Sequence, residues 1–128
     1  MTRLIIADDH CIIREALKRI LTKYQIVGEA EDGDSAIELV RQKKPDLVLL
    51  DLSMPKKGGL AVIKEIKACH KDIKILVITL VHSKDSVRIA LEAGADGYFL
   101  KDENVADLHT AISHVLEGGT YISPRLTD

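Results

Sequence analysis

Four apolar segments of this 128-residue sequence end in side chains that could take part in phosphate chemistry. Two adjacent carboxylates, Asp8 and Asp9, follow "LIIA", and a third, Asp51, follows "LVLL". A hydroxyl, Thr79, ends "ILVIT", and an ammonium, Lys101, ends "GYFLK". A carboxylate beside a divalent ion can attack a phosphoryl group and form an acyl phosphate. An ammonium and a hydroxyl could then stabilise the charge of the transferred group.

Three carboxylates at one place would need a compensating charge. At a separation of ~5 Å and an effective dielectric constant of ~20, each pair of carboxylates repels by ~3 kcal/mol. Either a proton or a cation must relieve this repulsion. Carboxylate oxygens with room for water and phosphate suit Mg²⁺, so we expect a magnesium site at Asp8, Asp9 and Asp51. Because Mg²⁺ prefers oxygen ligands, we interpret His10 as a residue that starts a helix.

The order of the apolar segments predicts how these polar residues come together. Unbroken Val, Ile and Leu runs are typical of strands covered on both faces of a parallel sheet, and apolar spacings of three and four predict helices between them. We predict strands at residues 3–8, 25–30, 46–50, 73–79 and 97–101. We predict helices at residues 10–23, 34–44, 59–70, 86–93 and 104–117.

Successive β-α units predict an α/β fold, an open parallel sheet with right-handed crossovers and helices on both faces. Ligands of such sheets bind beyond the carboxyl ends of the strands, where the winding reverses. The strand-end carboxylates, hydroxyl and ammonium are therefore expected at one edge of the sheet.

The composition is typical of one soluble globular domain, with 46% hydrophobic and 30% charged residues. No apolar segment approaches the ~20 residues of a membrane-spanning helix. The two cysteines, Cys11 and Cys69, are far apart in the sequence and fit a reducing compartment, so we expect a cytoplasmic location without membrane contact. A net charge of −2 gives no nucleic-acid surface of its own.

Four segments, "LIIADDH", "PDLVLLDLSMP", "VITL" and "EAGADGYFLKD", together resemble the receiver domain of two-component response regulators. The resemblance extends over nearly the whole chain. It implies a flavodoxin-like fold with the strand order 2-1-3-4-5 and five helices. It also implies a signalling module that takes phosphate from a sensor histidine kinase, and not an enzyme beyond its own phosphorylation and dephosphorylation.

The resemblance assigns roles to the acidic residues. Asp51 corresponds to the phospho-acceptor. Asp9 corresponds to a direct Mg²⁺ ligand and Asp8 to a neighbour that acts through water. The backbone carbonyl of Ser53 corresponds to a further metal ligand.

Three more residues correspond to parts of a two-state switch. Thr79 corresponds to the switch hydroxyl, Lys101 to the phosphate-binding lysine and Tyr98 to the switch aromatic residue. In the implied mechanism, phosphate on Asp51 draws Thr79 inward, Tyr98 turns into the vacated space, and the surface of the fourth helix and fifth strand shifts. Each step biases an equilibrium that already exists.

The segment after Lys101 indicates a subfamily. Asp102 stands where many receivers have a proline, and with "DDH" and "GYFLKD" it resembles the NarL/FixJ-type subfamily, whose members usually carry a C-terminal helix-turn-helix. We therefore expect a receiver domain at residues 1–118 and, at 119–128, the start of a linker to a DNA-binding domain absent from this chain. Such a protein would regulate transcription through DNA; a stand-alone receiver acting through protein contacts is the alternative.

The first predicted helix has an unusually wide apolar surface. Its apolar residues cover about half of the circumference, more than the ~100° that core packing needs. Ile13 and Ala16 could therefore help to dock a kinase, although core packing is the other interpretation. The resemblance also allows a phosphorylation-dependent homodimer, because related receivers pair through either the first and fifth helices or the fourth helix and fifth strand.

Three other functions fit parts of the sequence. An aspartyl-phosphate phosphatase also uses a strand-end aspartate and Mg²⁺, but usually with an Asp-x-Asp arrangement, whereas Asp8 and Asp9 are adjacent. A flavin-binding protein is disfavoured because an acidic first loop repels phosphate and only 3% of residues are aromatic. A receiver that serves only as a scaffold is disfavoured by the intact acidic cluster.

Overall fold

The computed structural model describes residues 1–54 and 58–126, in which strands and helices alternate along the chain. The strands are β1 (Arg3–Ala7), β2 (Gln25–Ala30), β3 (Leu47–Asp51), β4 (Lys74–Thr79), β5 (Gly97–Leu100) and β6 (Tyr121–Ile122). The helices are α1 (Cys11–Ile20), α2 (Gly33–Lys43), α3 (Gly59–Cys69), α4 (Lys84–Ala93) and α5 (Val105–Leu116), followed by a 3₁₀ turn, Pro124–Leu126.

All six strands pair in parallel in one sheet, in the order β2-β1-β3-β4-β5-β6. The predicted α/β class and the order 2-1-3-4-5 are confirmed, and β6 is an addition that the sequence analysis did not predict. The winding reverses between β1 and β3, which is where a ligand site is expected in such a sheet. Asp8 and Asp51 lie at the carboxyl ends of these two strands.

Two apolar layers cover the sheet because successive side chains of a strand point to opposite faces. Ile5 and Ala7 of β1 belong to the layer that includes buried residues of α2, α3 and α4. Leu4 and Ile6 belong to the layer that includes buried residues of α1 and α5. These four β1 residues are fully buried, which is why the strand could be recognised from an unbroken apolar run.

Local signals explain most of the helix ends. The Asp32 side chain accepts the Ser35 N–H at 2.8 Å at the start of α2. In the same way, the Asn104 side chain accepts the Asp107 N–H at 3.0 Å at the start of α5. Ser83 caps α4 in the same way, so this helix begins two residues earlier than predicted. No described helix is both long and apolar enough to cross a bilayer.

The segment after α5 packs against the sheet. Tyr121 and Ile122 pair with β5, and the Ser123 side chain is fully buried. Its hydroxyl accepts the Leu100 N–H at 2.9 Å and donates to the Glu103 carboxylate. Residues 119–126, predicted to begin a linker, thus fold onto the receiver. A DNA-binding domain beyond them stays a prediction, and positions 127 and 128 lie outside the described residues.

Candidate functional site

The carboxyl ends of the central strands bring the predicted acidic and basic residues together. Asp8 follows β1, Asp51 ends β3 and Lys101 follows β5. The Lys101 ammonium lies 2.8 Å from Asp8 Oδ2 and 3.4 Å from Asp51 Oδ2. The topology therefore places three residues that are 43 and 50 positions apart in the sequence within ion-pairing distance.

Asp51 is a buried carboxylate whose charge is only partly compensated. The residue is 2% exposed, and burial raises the pKa of its carboxyl group. The Ser53 N–H, which donates to Asp51 Oδ1 at 3.1 Å, and the Lys101 ammonium oppose this increase. The negative charge of Asp8 adds to it. A carboxylate held in this way is poorly solvated and faces a cation, as expected of a reactive group.

Asp8 is held by its neighbours on the β1–α1 loop. Its side chain is fully buried, and Asp8 Oδ1 accepts the His10 backbone N–H at 2.9 Å. The Arg14 guanidinium donates to the Asp8 carbonyl at 2.7 Å and also bonds to Glu29 of β2. The contact from Arg14 was missed in the sequence analysis because no local pattern links a helix residue to a backbone group six positions earlier.

His10 stands at the predicted helix start, but its side chain does not cap the helix. Instead, His10 Nδ1 lies 3.0 Å from Asp8 Oδ1 and 3.1 Å from Asp9 Oδ1. The imidazole therefore lies among the carboxylates. His10 thus stands at its predicted position along the chain, but its contacts with the two carboxylates were not predicted.

The acidic side chains fit a divalent cation. Asp8, Asp9, His10 and Asp51 offer one ligand atom each, and these atoms all lie within 4.8 Å of one another. Asp8 Oδ2 and Asp51 Oδ2 are buried, and neither accepts a well-aligned hydrogen bond from the described residues. Buried oxygens of this kind are stabilised by a cation. The Ser53 carbonyl remains a predicted ligand, and the loop residues 55–57 lie outside the described part of the chain.

Thr79 and Tyr98 contact a common residue beside the carboxylates. Thr79 is 1% exposed at the end of β4, and its Oγ1 accepts the Val81 N–H at 3.1 Å. The Tyr98 hydroxyl donates to the Val81 carbonyl at 2.9 Å. The Tyr98 ring is fully buried, and this burial raises the pKa of its phenol. The ring thus already occupies the inward position that the sequence analysis expected it to reach after phosphorylation.

The predicted docking residues lie at a groove between α1 and α5. Ile13 is half-buried and Ala16 is exposed, and both line this groove together with Val105 and Leu108 of α5. Lys101 lines the same groove, so the groove adjoins the acidic site. Docking of a partner there stays a prediction.

A family profile described as "Response regulator receiver domain" matches residues 4–113. The chain belongs to the response regulator receiver family. The transcriptional regulatory protein DegU of Brevibacillus brevis is 37% identical over 128 residues, which are 98% of this chain and 54% of DegU.

Solved structures of receivers superpose closely. A LuxR-family two-component response regulator from Aurantimonas sp. SI85-9A1 is 35% identical, with a TM-score of 0.94 over 98% of this chain and 93% of that chain. A second structure is that of the isolated receiver domain of RcsB from Salmonella enterica serovar Typhimurium in the presence of the phosphomimetic BeF₃⁻. It is 26% identical, with a TM-score of 0.90 over 98% of this chain and 96% of that chain.

These similarities confirm the predicted receiver family and its NarL/FixJ-type branch, since the Aurantimonas protein is described as a LuxR-family regulator and DegU as a transcriptional regulatory protein. The relatives are described as regulators rather than as enzymes. The chain spans about half of the length of DegU, so it corresponds to the receiver part of such a regulator.

Proposed function

We propose that this receiver accepts a phosphoryl group on Asp51 from a sensor histidine kinase, in a reaction that depends on Mg²⁺. The observation that carries the proposal is the buried Asp51 carboxylate, which faces Lys101 at 3.4 Å and forms with Asp8 and Asp9 a cluster of oxygen atoms spaced closely enough to hold a cation. Carboxylates so placed next to a metal site suit nucleophilic attack on phosphorus.

The proposed transfer uses residues in distinct roles. An Asp51 oxygen forms the new bond to phosphorus while the bond from phosphorus to the histidine nitrogen of the kinase breaks, and the electron pair stays on that nitrogen. Asp8, Asp9 and Asp51 would hold Mg²⁺, which when bound would supply positive charge for the phosphoryl oxygens. The Lys101 ammonium can exchange its contact with Asp51 for a phosphoryl oxygen. The Thr79 hydroxyl, which accepts the Val81 N–H, still has its own proton to donate.

The same contacts support a switch. A Thr79 hydroxyl that turns to phosphate would alter its bond to the Val81 N–H, and Tyr98 holds the carbonyl of that residue. Phosphorylation would therefore favour one arrangement of the β4–α4 loop with Tyr98 buried. This is a population shift between arrangements that already exist.

The output of the proposed switch is transcription. DegU is described as a transcriptional regulatory protein, and this chain matches only about half of it. We infer that a DNA-binding domain follows the receiver in the cytoplasmic protein, and that phosphorylation controls DNA binding or homodimer formation. A stand-alone receiver would instead act through protein contacts on the same surfaces.

Intact-protein mass spectrometry tests the proposed phosphorylation. The chain is incubated with acetyl phosphate and Mg²⁺, with and without excess EDTA, and Asp51→Asn serves as the control. We expect a gain of one phosphoryl group in the wild type with Mg²⁺ only. Continuous hydrolysis of an aryl phosphate without stoichiometric labelling would indicate a phosphatase instead.

A further inference from the structure

His10 contributes a nitrogen atom to a cluster that otherwise offers oxygen. Its Nδ1 lies 3.0 Å from Asp8 Oδ1 and 3.1 Å from Asp9 Oδ1. In an octahedral site with ligand bonds of about 2.1 Å, neighbouring ligand atoms lie about 3.0 Å apart. The nitrogen is therefore spaced from both carboxylates as adjacent ligands of one small divalent ion are.

The backbone around His10 keeps the imidazole in this place. The His10 N–H donates to Asp8 Oδ1 at 2.9 Å, and Arg14 fixes the Asp8 carbonyl at 2.7 Å. Asp8 Oδ2 and Asp51 Oδ2 are buried without a well-aligned hydrogen bond among the described residues, and the Lys101 ammonium beside them supplies one positive charge against the charges of three carboxylates. The His10 side chain is 61% exposed and can adjust to an incoming ion.

We propose that His10 is a nitrogen ligand of the proposed metal site, and that it raises the affinity of the site for Mn²⁺ and other divalent transition-metal ions relative to its affinity for Mg²⁺. This inference rests on the proposed metal-dependent function. Imidazole suits transition metals, whereas Mg²⁺ keeps to oxygen ligands and water. The chain would accept Mg²⁺ through Asp8, Asp9 and Asp51, and His10 would add affinity only for ions that favour nitrogen.

Three variants separate ligation from the simpler role of orienting the carboxylates. His10→Ala removes both functions. His10→Asn keeps a hydrogen-bond donor near the carboxylates but has no imidazole. His82→Ala is the matched control, because His82 is also exposed and pairs with a carboxylate, that of Asp102 at 3.2 Å, outside the cluster.

Mn²⁺ binding is measured from the electron paramagnetic resonance signal of the free ion, and Mg²⁺ binding from its competition with Mn²⁺. We expect the ratio of Mn²⁺ affinity to Mg²⁺ affinity to fall about tenfold in His10→Ala and His10→Asn, and to stay unchanged in His82→Ala. Electron spin echo modulation from a directly bound ¹⁴N should be present in the wild type and the control, and lost in both His10 variants.

The outcomes distinguish the two proposals. If both ions bind but the His10 variants keep the wild-type ratio and the nitrogen modulation, His10 is not a ligand and only this inference fails. If His10→Ala lowers the affinities for both ions equally while His10→Asn restores them, His10 orients the carboxylates and the inference again fails. If neither ion binds the wild type, the metal-dependent function itself fails.

Discussion

The side chains of Thr79 and Tyr98 both form hydrogen bonds with the backbone of one residue, Val81. Thr79 Oγ1 accepts the Val81 N–H at 3.1 Å, and the Tyr98 hydroxyl donates to the Val81 carbonyl at 2.9 Å. Thr79 lies beside the proposed phospho-acceptor, whereas Tyr98 lies under α4 and in the same apolar cluster as Val87 and Ala90. The backbone of Val81 therefore connects the proposed phosphorylation site with the surface near α4 through two hydrogen bonds.

Tyr98→Phe should remove the hydrogen bond to the Val81 carbonyl without creating a cavity. The ring remains, but the Val81 carbonyl loses its donor, so we expect the free energy of unfolding to fall by about 1 kcal/mol. Amide hydrogen exchange at residues 80–83 should become faster. Phosphorylation of Asp51 should keep its stoichiometry.

Tyr24→Phe is the control for this change. Tyr24 lies in the loop between α1 and β2 and stacks on His109 of α5, in the apolar layer on the other face of the sheet from Tyr98. This variant should leave exchange at residues 80–83 as in the wild type. Unchanged exchange at these residues in Tyr98→Phe would show that the hydroxyl does not hold the loop.

Lys101→Met should destabilise the domain and make its stability depend on Mg²⁺. The substitution removes the ammonium 2.8 Å from Asp8 and 3.4 Å from Asp51, so two buried carboxylates lose their counter-charge. We expect a loss of about 3 kcal/mol in the free energy of unfolding at neutral pH. Because the ammonium no longer competes, Mg²⁺ should bind the variant more tightly and restore part of the loss in chemical denaturation.

Lys67→Met is matched to this variant. Lys67 pairs with Asp96 at 2.7 Å at the other end of the sheet, and the Lys67 side chain is about as exposed as that of Lys101, 18% against 15%. Added Mg²⁺ should raise the free energy of unfolding of Lys67→Met by no more than it raises that of the wild type. An equal rescue of both lysine variants by Mg²⁺ would argue against a metal site next to Lys101.

Asp51→Asn should stabilise the protein in the absence of divalent ions. Burial raises the pKa of Asp51, so its ionised form is disfavoured in the folded state. Such a group contributes fully to the free energy of unfolding below its pKa in the unfolded protein, which is about 4. This contribution is lost as the pH rises through its pKa in the folded protein. We expect a gain of about 1–3 kcal/mol at pH 7 that narrows as the pH falls toward 4.

Denaturation curves across this pH range measure the gap between Asp51→Asn and the wild type. Asp72→Asn, at an exposed aspartate, provides the control and should give little difference at either pH. A gap for Asp51→Asn that widens toward acid would contradict the proposed burial of a charged carboxylate.

Ser123→Ala tests whether the C-terminal segment is part of the receiver. Ser123 is fully buried and its hydroxyl accepts the Leu100 N–H at 2.9 Å, next to Lys101. Loss of this acceptor should lower the free energy of unfolding by about 1–3 kcal/mol. Ser113→Ala, at a half-buried position on α5, should cost less. A chain of residues 1–118 that melts at the same temperature as residues 1–128 would show that the segment adds nothing to stability.

Most of the fold could be predicted because its determinants are local. Unbroken apolar runs mark the central strands, and the regular β-α alternation restricts the strand order. The strand β6 could not be predicted from periodicity, since Tyr121 and Ile122 are only two residues between Gly119-Thr120 and Ser123-Pro124. That strand depends on the pairing with β5 and on the burial of Ser123, which are tertiary contacts.

The site was predictable to the extent that topology alone determines it. The C-terminal residues of parallel strands lie at the same edge of the sheet. Asp8, Asp51 and Lys101 were therefore expected to lie close together. The topology does not determine how individual side chains are oriented. The contact of His10 with two carboxylates and the inward position of Tyr98 depend on packing that no spacing in the sequence encodes.

The chemical location of the phosphoryl group tests the central claim most directly. The chain is treated with acetyl phosphate and Mg²⁺, the acyl phosphate is reduced with borohydride, and the modified residue is found by peptide sequencing in the mass spectrometer. We expect reduction at Asp51 alone, and none when EDTA removes Mg²⁺. Labelling at Asp8 or Asp9, or equal labelling of Asp51 without a divalent ion, would contradict the account.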